Sequence, residues 1–188
     1  MTGRLIVSTT AGCLLAFAAI GMAAPDEAQP ASLLQFKEAI HQYVQLHRRI
    51  ERQLPPFRPH SDTENIIESS NAMAGALHTA RVNAREGDIF TPEMAALLRT
   101  RVSDALAARG FTAESMVAAM LEEADTDAPL PLVNGRFPWR RGAAMWPCVL
   151  DALPKLPDEL QYRFVGRDLV LVDTHADLVV DILRNAVR

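Results

Sequence analysis

The stretch LQYRFVGRDLVLVDTHADLVVDIL, Leu160 to Leu183, carries Asp173, His175, Asp177 and Asp181 inside otherwise apolar chain. Carboxylates and an imidazole are the donors that zinc or a hard divalent cation uses, so Asp173, His175 and Asp177 form the candidate ligand set. Other considerations weigh against it. Asp and His decorate turns for conformational reasons. On a strand Asp177 and Asp181 would share a face about 13 Å apart. Asp173 and His175 would converge only if the turn curled around an ion, and it has no glycine to relax such a curl. A structural zinc site also needs four well-placed ligands. The stretch therefore reads as turn chemistry, and no cofactor is implied.

Other candidates are dispersed. His47 and Glu51 lie one turn apart on the first predicted helix, as an acid/base pair or as an imidazole packed at a seam and hydrogen-bonded to its neighbour. His41 and His78 fall on helix surfaces, and His60 falls in a loop before a cap. Cys148 could serve as a thiol nucleophile only with a histidine beside it, and otherwise reads as a small buried residue. Trp139 and Trp146 flank Arg140 and Arg141, a combination enriched where proteins bind one another; two tryptophans covering a core is the other reading. There is no G-x-S-x-G elbow, H-E-x-x-H, C-x-x-C or glycine-rich phosphate loop, so no catalytic residue is assigned.

Periodicity supplies the elements that must position these groups. Leu33, Phe36, Ile40, Tyr43, His47, Ile50 and Leu54 recur every three or four residues, one face of a helix that Pro55 and Pro56 stop. Ser61-Asp62-Thr63-Glu64 reads as a capping box opening a second helix, with Gly87 as its terminator, and the short linker predicts an αα-hairpin. Thr91-Pro92-Glu93 starts a third helix that Gly110 ends, and Thr112 opens a fourth. From Ala128 to Pro157 the chain is proline-rich, with a turn pair at Asn134-Gly135 and one short helical stretch over 147–153.

In the closing stretch, Gly166-Arg167 fits a two-residue hairpin turn. That register sets Phe164 against Leu169 and Tyr162 against Leu171 on a core face, and Arg163 against Val170 on the other. The β-branched Val179, Val180 and Ile182 favour a third strand over a helix. The class is α+β: about four helices over 31–125, a connector over 126–157, and an antiparallel β-meander over 158–188 packed on the helices.

The paired-proline lead-in Leu153-Pro154-Lys155-Leu156-Pro157, followed by YRFVGRDLVLVD and LVVD, resembles the C-terminal end of uncharacterised exported bacterial proteins, which implies kinship without an assigned activity. The strand-turn-strand-turn-strand pattern is similar to the C-terminal meander of periplasmic nickel and cobalt homeostasis proteins, although the helical first half here departs from them and no ligand motif accompanies the likeness.

Residues 1–23, with Arg4 before the apolar Leu5 to Ile20 and small residues at the close, have the anatomy of a secretory signal peptide cleaved after Ala23. A periplasmic or secreted location follows, with no membrane span after cleavage. The remainder is long enough for one domain that buries roughly 70% of its unfolded surface. Only Cys148 would survive maturation, so packing rather than a disulfide must hold the fold. The net charge of −4 is spread along the chain without the basic patch that nucleic acid requires. The reading is a non-enzymatic exported protein that binds a partner, such as another envelope protein, through Trp139 to Trp146. The alternatives are a periplasmic metal-binding protein and a hydrolase with dispersed catalytic residues.

Overall fold

A computed structural model describes residues 30–56, 62–122, 124–141 and 145–188. The expected leader and its cleavage point lie outside the described residues, as do His60 and Ser61. The architecture is α+β, in the order α1 (Ala31–Glu51), α2 (Thr63–Ala80), α3 (Pro92–Ala107), α4 (Ala113–Glu122), α5 (Pro147–Ala152), β1 (Leu160–Val165), β2 (Asp168–Asp173) and β3 (Leu178–Leu183). Among the described residues no helix is long and apolar enough to cross a membrane.

Local chemistry explains the helix ends. Thr91 accepts from Met94 N–H with Pro92 at the first helical position, and Thr112 and Ser115 cap α4 reciprocally, each side chain accepting from the other's backbone N–H. Two expected ends are corrected. The cap of α2 is Asp62, whose carboxylate accepts from Asn65 N–H, and not Ser61. Nor does Gly87 terminate that helix: α2 stops at Ala80, and Gly87, at φ +90°, shapes the loop that follows.

The meander is antiparallel in the order β1-β2-β3, with the predicted Phe164–Leu169, Tyr162–Leu171 and Arg163–Val170 pairs. Gly166 holds φ +57° in the hairpin turn, a conformation that costs glycine little. Alternation along β2 turns Leu169 and Leu171 into one apolar cluster with α1 to α5, and Val170 and Val172 into a second cluster with Phe137 and Val133. Both faces of the sheet are therefore covered, where one core face was expected. The connector does this by returning along β3: Asn134 N–H donates to Val179 O, and Phe137 N–H donates to Asp177 O.

The β2–β3 pairing shifts register between Leu171 and Val172, matching Leu171 to Asp181 but Val172 to Val179. Val180 is the extra residue of a bulge, which leaves Val180 and the following Asp181 both aimed at the helices. Without that residue Asp181 would point to the opposite face.

Candidate metal centre

Helix α1 presents Tyr43, His47 and Glu51 at a spacing of four, hence along one face. Tyr43 and His47 are buried among Phe36, Ile40 and Ile50. A phenol and an imidazole there need partners, because an unpaired buried polar group costs about 1–3 kcal/mol. Asp173, at the end of β2 and on the inward side of its alternation, supplies both. Its Oδ2 accepts from Tyr43 Oη at 2.7 Å and from His47 Nδ1 at 2.6 Å. Its Oδ1 accepts from the backbone N–H groups of His175 at 3.0 Å and Ala176 at 2.8 Å. Four bonds occupy the four lone-pair directions of the carboxylate.

The two amide bonds to Asp173 shape the turn after β2, and Asp177 closes it at φ +49°. Aspartate tolerates this left-handed conformation, so the turn curls without the glycine that the sequence reading required. The curl carries His175 toward α1, where the His47 and His175 ring centroids are 6.1 Å apart. His175 Nε2 lies 3.0 Å from Ser69 Oγ on α2, and its Nδ1 lies 3.7 Å from Glu51 Oε1. One donor atom each from His47, Glu51 and His175 fall within 4.8 Å of one another. They open on a cleft of about 400 Å³ that Ile66, Ser70, Glu159 and Asp177 also line.

The two imidazoles are tuned in opposite directions. Burial alone would lower the pKa of His47, but the hydrogen bond to Asp173 and the charges of Asp173, Glu51 and Glu159 outweigh it and raise the pKa above the ordinary value. His175 is lowered, by burial first and by the neighbouring His47. Glu159 would be raised by burial, but the hydrogen bond from Arg48 Nε at 2.6 Å holds its pKa below the usual range. Burial raises Asp177, with Arg136 and a hydrogen bond accepted from Trp139 opposing it.

Chemically, donation of Nδ1–H by His47 to a carboxylate places the ring's lone pair on Nε2, the arrangement in which an outer carboxylate orients a metal-binding histidine. If the Ser69 hydroxyl accepts from Nε2–H of His175, the second lone pair sits on Nδ1, facing Glu51. Two imidazole nitrogens and a carboxylate oxygen are the His₂Glu donor set of zinc sites that keep an open position. Tetrahedral ligands about 2.1 Å from zinc stand about 3.4 Å apart, so the cluster must close by roughly 1 Å. Glu51, with a side chain 46% exposed, has the rotamer freedom to do so.

Of the expected ligand set, only His175 joins this cluster. Asp173 has spent its lone pairs orienting His47, and Asp177 turns to Trp139. The expectation that His47 bonds its helical neighbour is replaced by the bond to Asp173, 126 positions away. The expected binding surface is divided. Trp139 stacks edge-on against Phe137 under the outer face of the sheet, whereas Trp146 packs edge-on against Phe111 beside the main core. Arg140 pairs with Asp125, and Arg141 donates to the carbonyls of Thr126 and Ala128. Cys148 is half-buried on α5. Tyr43 and Ser69 were not singled out in the sequence; the signal for Tyr43 is a polar side chain on an apolar seam.

Fold and site together define a small α+β chain with a histidine–carboxylate cleft between helix and sheet. Comparison with protein-family models, characterised proteins and solved structures finds no match.

Proposed function

We propose that this chain, exported and stripped of its leader, is a binding protein for a divalent transition metal, held by His47, Glu51 and His175. The observation that carries the reading is the convergence of these three donors from α1 and the β2–β3 turn, each imidazole having its other nitrogen next to an oxygen, Asp173 for His47 and Ser69 for His175. Outer oxygens of this kind fix ring orientation and tautomer, and raise ligand basicity. Borderline nitrogen and oxygen donors without a thiolate favour zinc, nickel or cobalt over copper(I) or an iron–sulfur cluster. Three protein donors leave at least one position for water or a ligand from the cleft.

Calorimetric titration of the chelator-treated mature protein with zinc, nickel and cobalt tests this. One equivalent should bind, and His47→Ala and His175→Ala should each weaken binding at least tenfold while circular dichroism shows the fold retained. No heat, or heat indifferent to both substitutions, would reduce the cluster to a hydrogen-bond network joining helix to sheet.

A further inference from the structure

Ser69 also lines a neighbouring cleft of about 340 Å³, walled by Leu54, Pro55, Pro56, Asn65 and Ala72. We propose that Ser69 is the nucleophile of an acyl-transfer site with His175 as its base, Glu51 as the group that orients the imidazole and Asn65 as donor to the oxyanion, acting on uncharged esters with a small apolar acyl group. This goes beyond the metal reading: it shares His175 and Glu51 with the metal site and adds Ser69 and Asn65.

The distances follow the order that nucleophilic catalysis requires. Ser69 Oγ is 3.0 Å from His175 Nε2, within the reach of a nucleophile and its base. Glu51 Oε1 is 3.7 Å from Nδ1 on the far side of the same ring, a looseness common before substrate closes a site. Ser69 lies inside α2, where the backbone N–H groups are spent in the helical ladder, so the oxyanion donor must be a side chain. Asn65 stands one turn earlier on the same face of α2 and lines the same cleft. Its Nδ2 gives one N–H to Asp62 Oδ1 at 2.8 Å, and an amide has a second. The Leu54, Pro55, Pro56 and Ala72 walls suit an apolar acyl chain, and Glu68 on the lining disfavours an anionic one.

In the reaction, the Ser69 proton passes to His175 Nε2 as Oγ bonds to the ester carbon. The carbon–oxygen bond to the alcohol then breaks, and that oxygen takes the proton from His175. Water repeats the cycle on the acyl-serine and releases the acid. This chemistry needs His175 with its proton on Nδ1, toward Glu51, whereas a metal needs the lone pair there. The two uses of the ring exclude each other, so loading with zinc should silence Ser69.

The test treats the chelated mature protein with p-nitrophenyl butyrate and with a fluorophosphonate probe, and reads intact mass. A single adduct should map to Ser69, vanish in Ser69→Ala, form at least 100-fold more slowly in His175→Ala, and slow by about 100-fold in Asn65→Ala. Glu51 is a positioning residue, so Glu51→Ala should slow labelling and Glu51→Gln, which still accepts from Nδ1–H, should restore most of it. No adduct, an adduct elsewhere, or labelling indifferent to His175→Ala would overturn the proposal. Asn65→Ala should leave zinc titration unchanged, so loss of either activity is read separately from the other.

Discussion

The meander buries two aspartates against the helical layer and holds them by different means. Asp181 accepts backbone N–H groups: Gly87 and Ile182 at Oδ1, Ile89 and Phe90 at Oδ2, all at 2.7–2.8 Å. Asp173 gives one oxygen to two turn amides and the other to the side chains of Tyr43 and His47. Burial raises the pKa of Asp181, and its four amide bonds oppose that rise. Backbone donors in a closed loop have neither protons to give up nor rotamers to change, so the Asp181 region can only hold the loop over 87–90 to β3. Side-chain donors titrate and coordinate. The Asp173 region therefore combines a structural tie with a cleft where chemistry is available.

The sharpest way to break this comparison is to remove each carboxylate. Asp181→Ala leaves buried amides without an acceptor and should cost about 3–5 kcal/mol, the range for breaking a buried charged network, read as a lowered urea midpoint. Asp173→Ala keeps another option for His47, which borders a cleft that admits water, and should cost less. The reverse order would mean that the cleft region is the principal structural tie.

Asp173→Asn separates charge from shape. The asparagine oxygen can still accept from the His175 and Ala176 amides, so stability should fall by only about 1–2 kcal/mol. Its NH₂ group, however, would face His47 Nδ1, which must then accept, and the ring proton moves to Nε2. That tautomer spends its one lone pair, on Nδ1, on the asparagine amide and leaves none at Nε2 for a metal. Zinc affinity should drop by 10–100-fold, whereas Asp181→Asn should leave it unchanged. Equal affinities in the two variants would show that Asp173 orients nothing that binds metal.

The same contrast marks what was legible in the sequence. Helices α1, α3 and α4 and the hairpin register follow from local rules, because periodicity, capping residues and turn chemistry act over a few positions. The fourfold spacing of His47 and Glu51 was visible in the same way. What local pattern does not contain is that Asp173 reaches Tyr43 across 130 positions, or that a bulge at Val180 redirects Asp181. The clue available was a polar residue at a core register: Tyr43 and His47 on an apolar seam, Asp173 and Asp181 among β-branched neighbours. Each such residue requires a partner, but the sequence does not say which. The turn is hard to read for a related reason. The absence of glycine points away from a tight curl, yet Asp177 adopts the left-handed conformation while Asp173 satisfies the turn amides.

The smallest effect concerns Tyr43, and it tests whether the two regions differ in their response to pH. Tyrosine in an unfolded chain ionises near pH 10. In the fold, burial first and then the charge and hydrogen bond of Asp173 push the pKa of Tyr43 well above that, with Arg81 opposing. A group whose pKa is raised by folding contributes stability that is present in full below its unfolded pKa and is lost as pH climbs through the folded value. Stability should therefore decline above about pH 10. Tyr162, also raised by burial, adds to that decline. Tyr43→Phe should cost about 1 kcal/mol at neutral pH, because Asp173 Oδ2 keeps His47, and it should flatten part of the alkaline decline. The discriminating measurement repeats Tyr43→Phe and Tyr162→Phe in an Asp173→Asn background. The Tyr43 share should shrink there, since the anion that helps to hold its proton is gone, while the Tyr162 share should not change. If Asp173→Asn left both shares as they were, burial alone would account for Tyr43, and Asp173 would tie the helix to the sheet without coupling the two electrostatically.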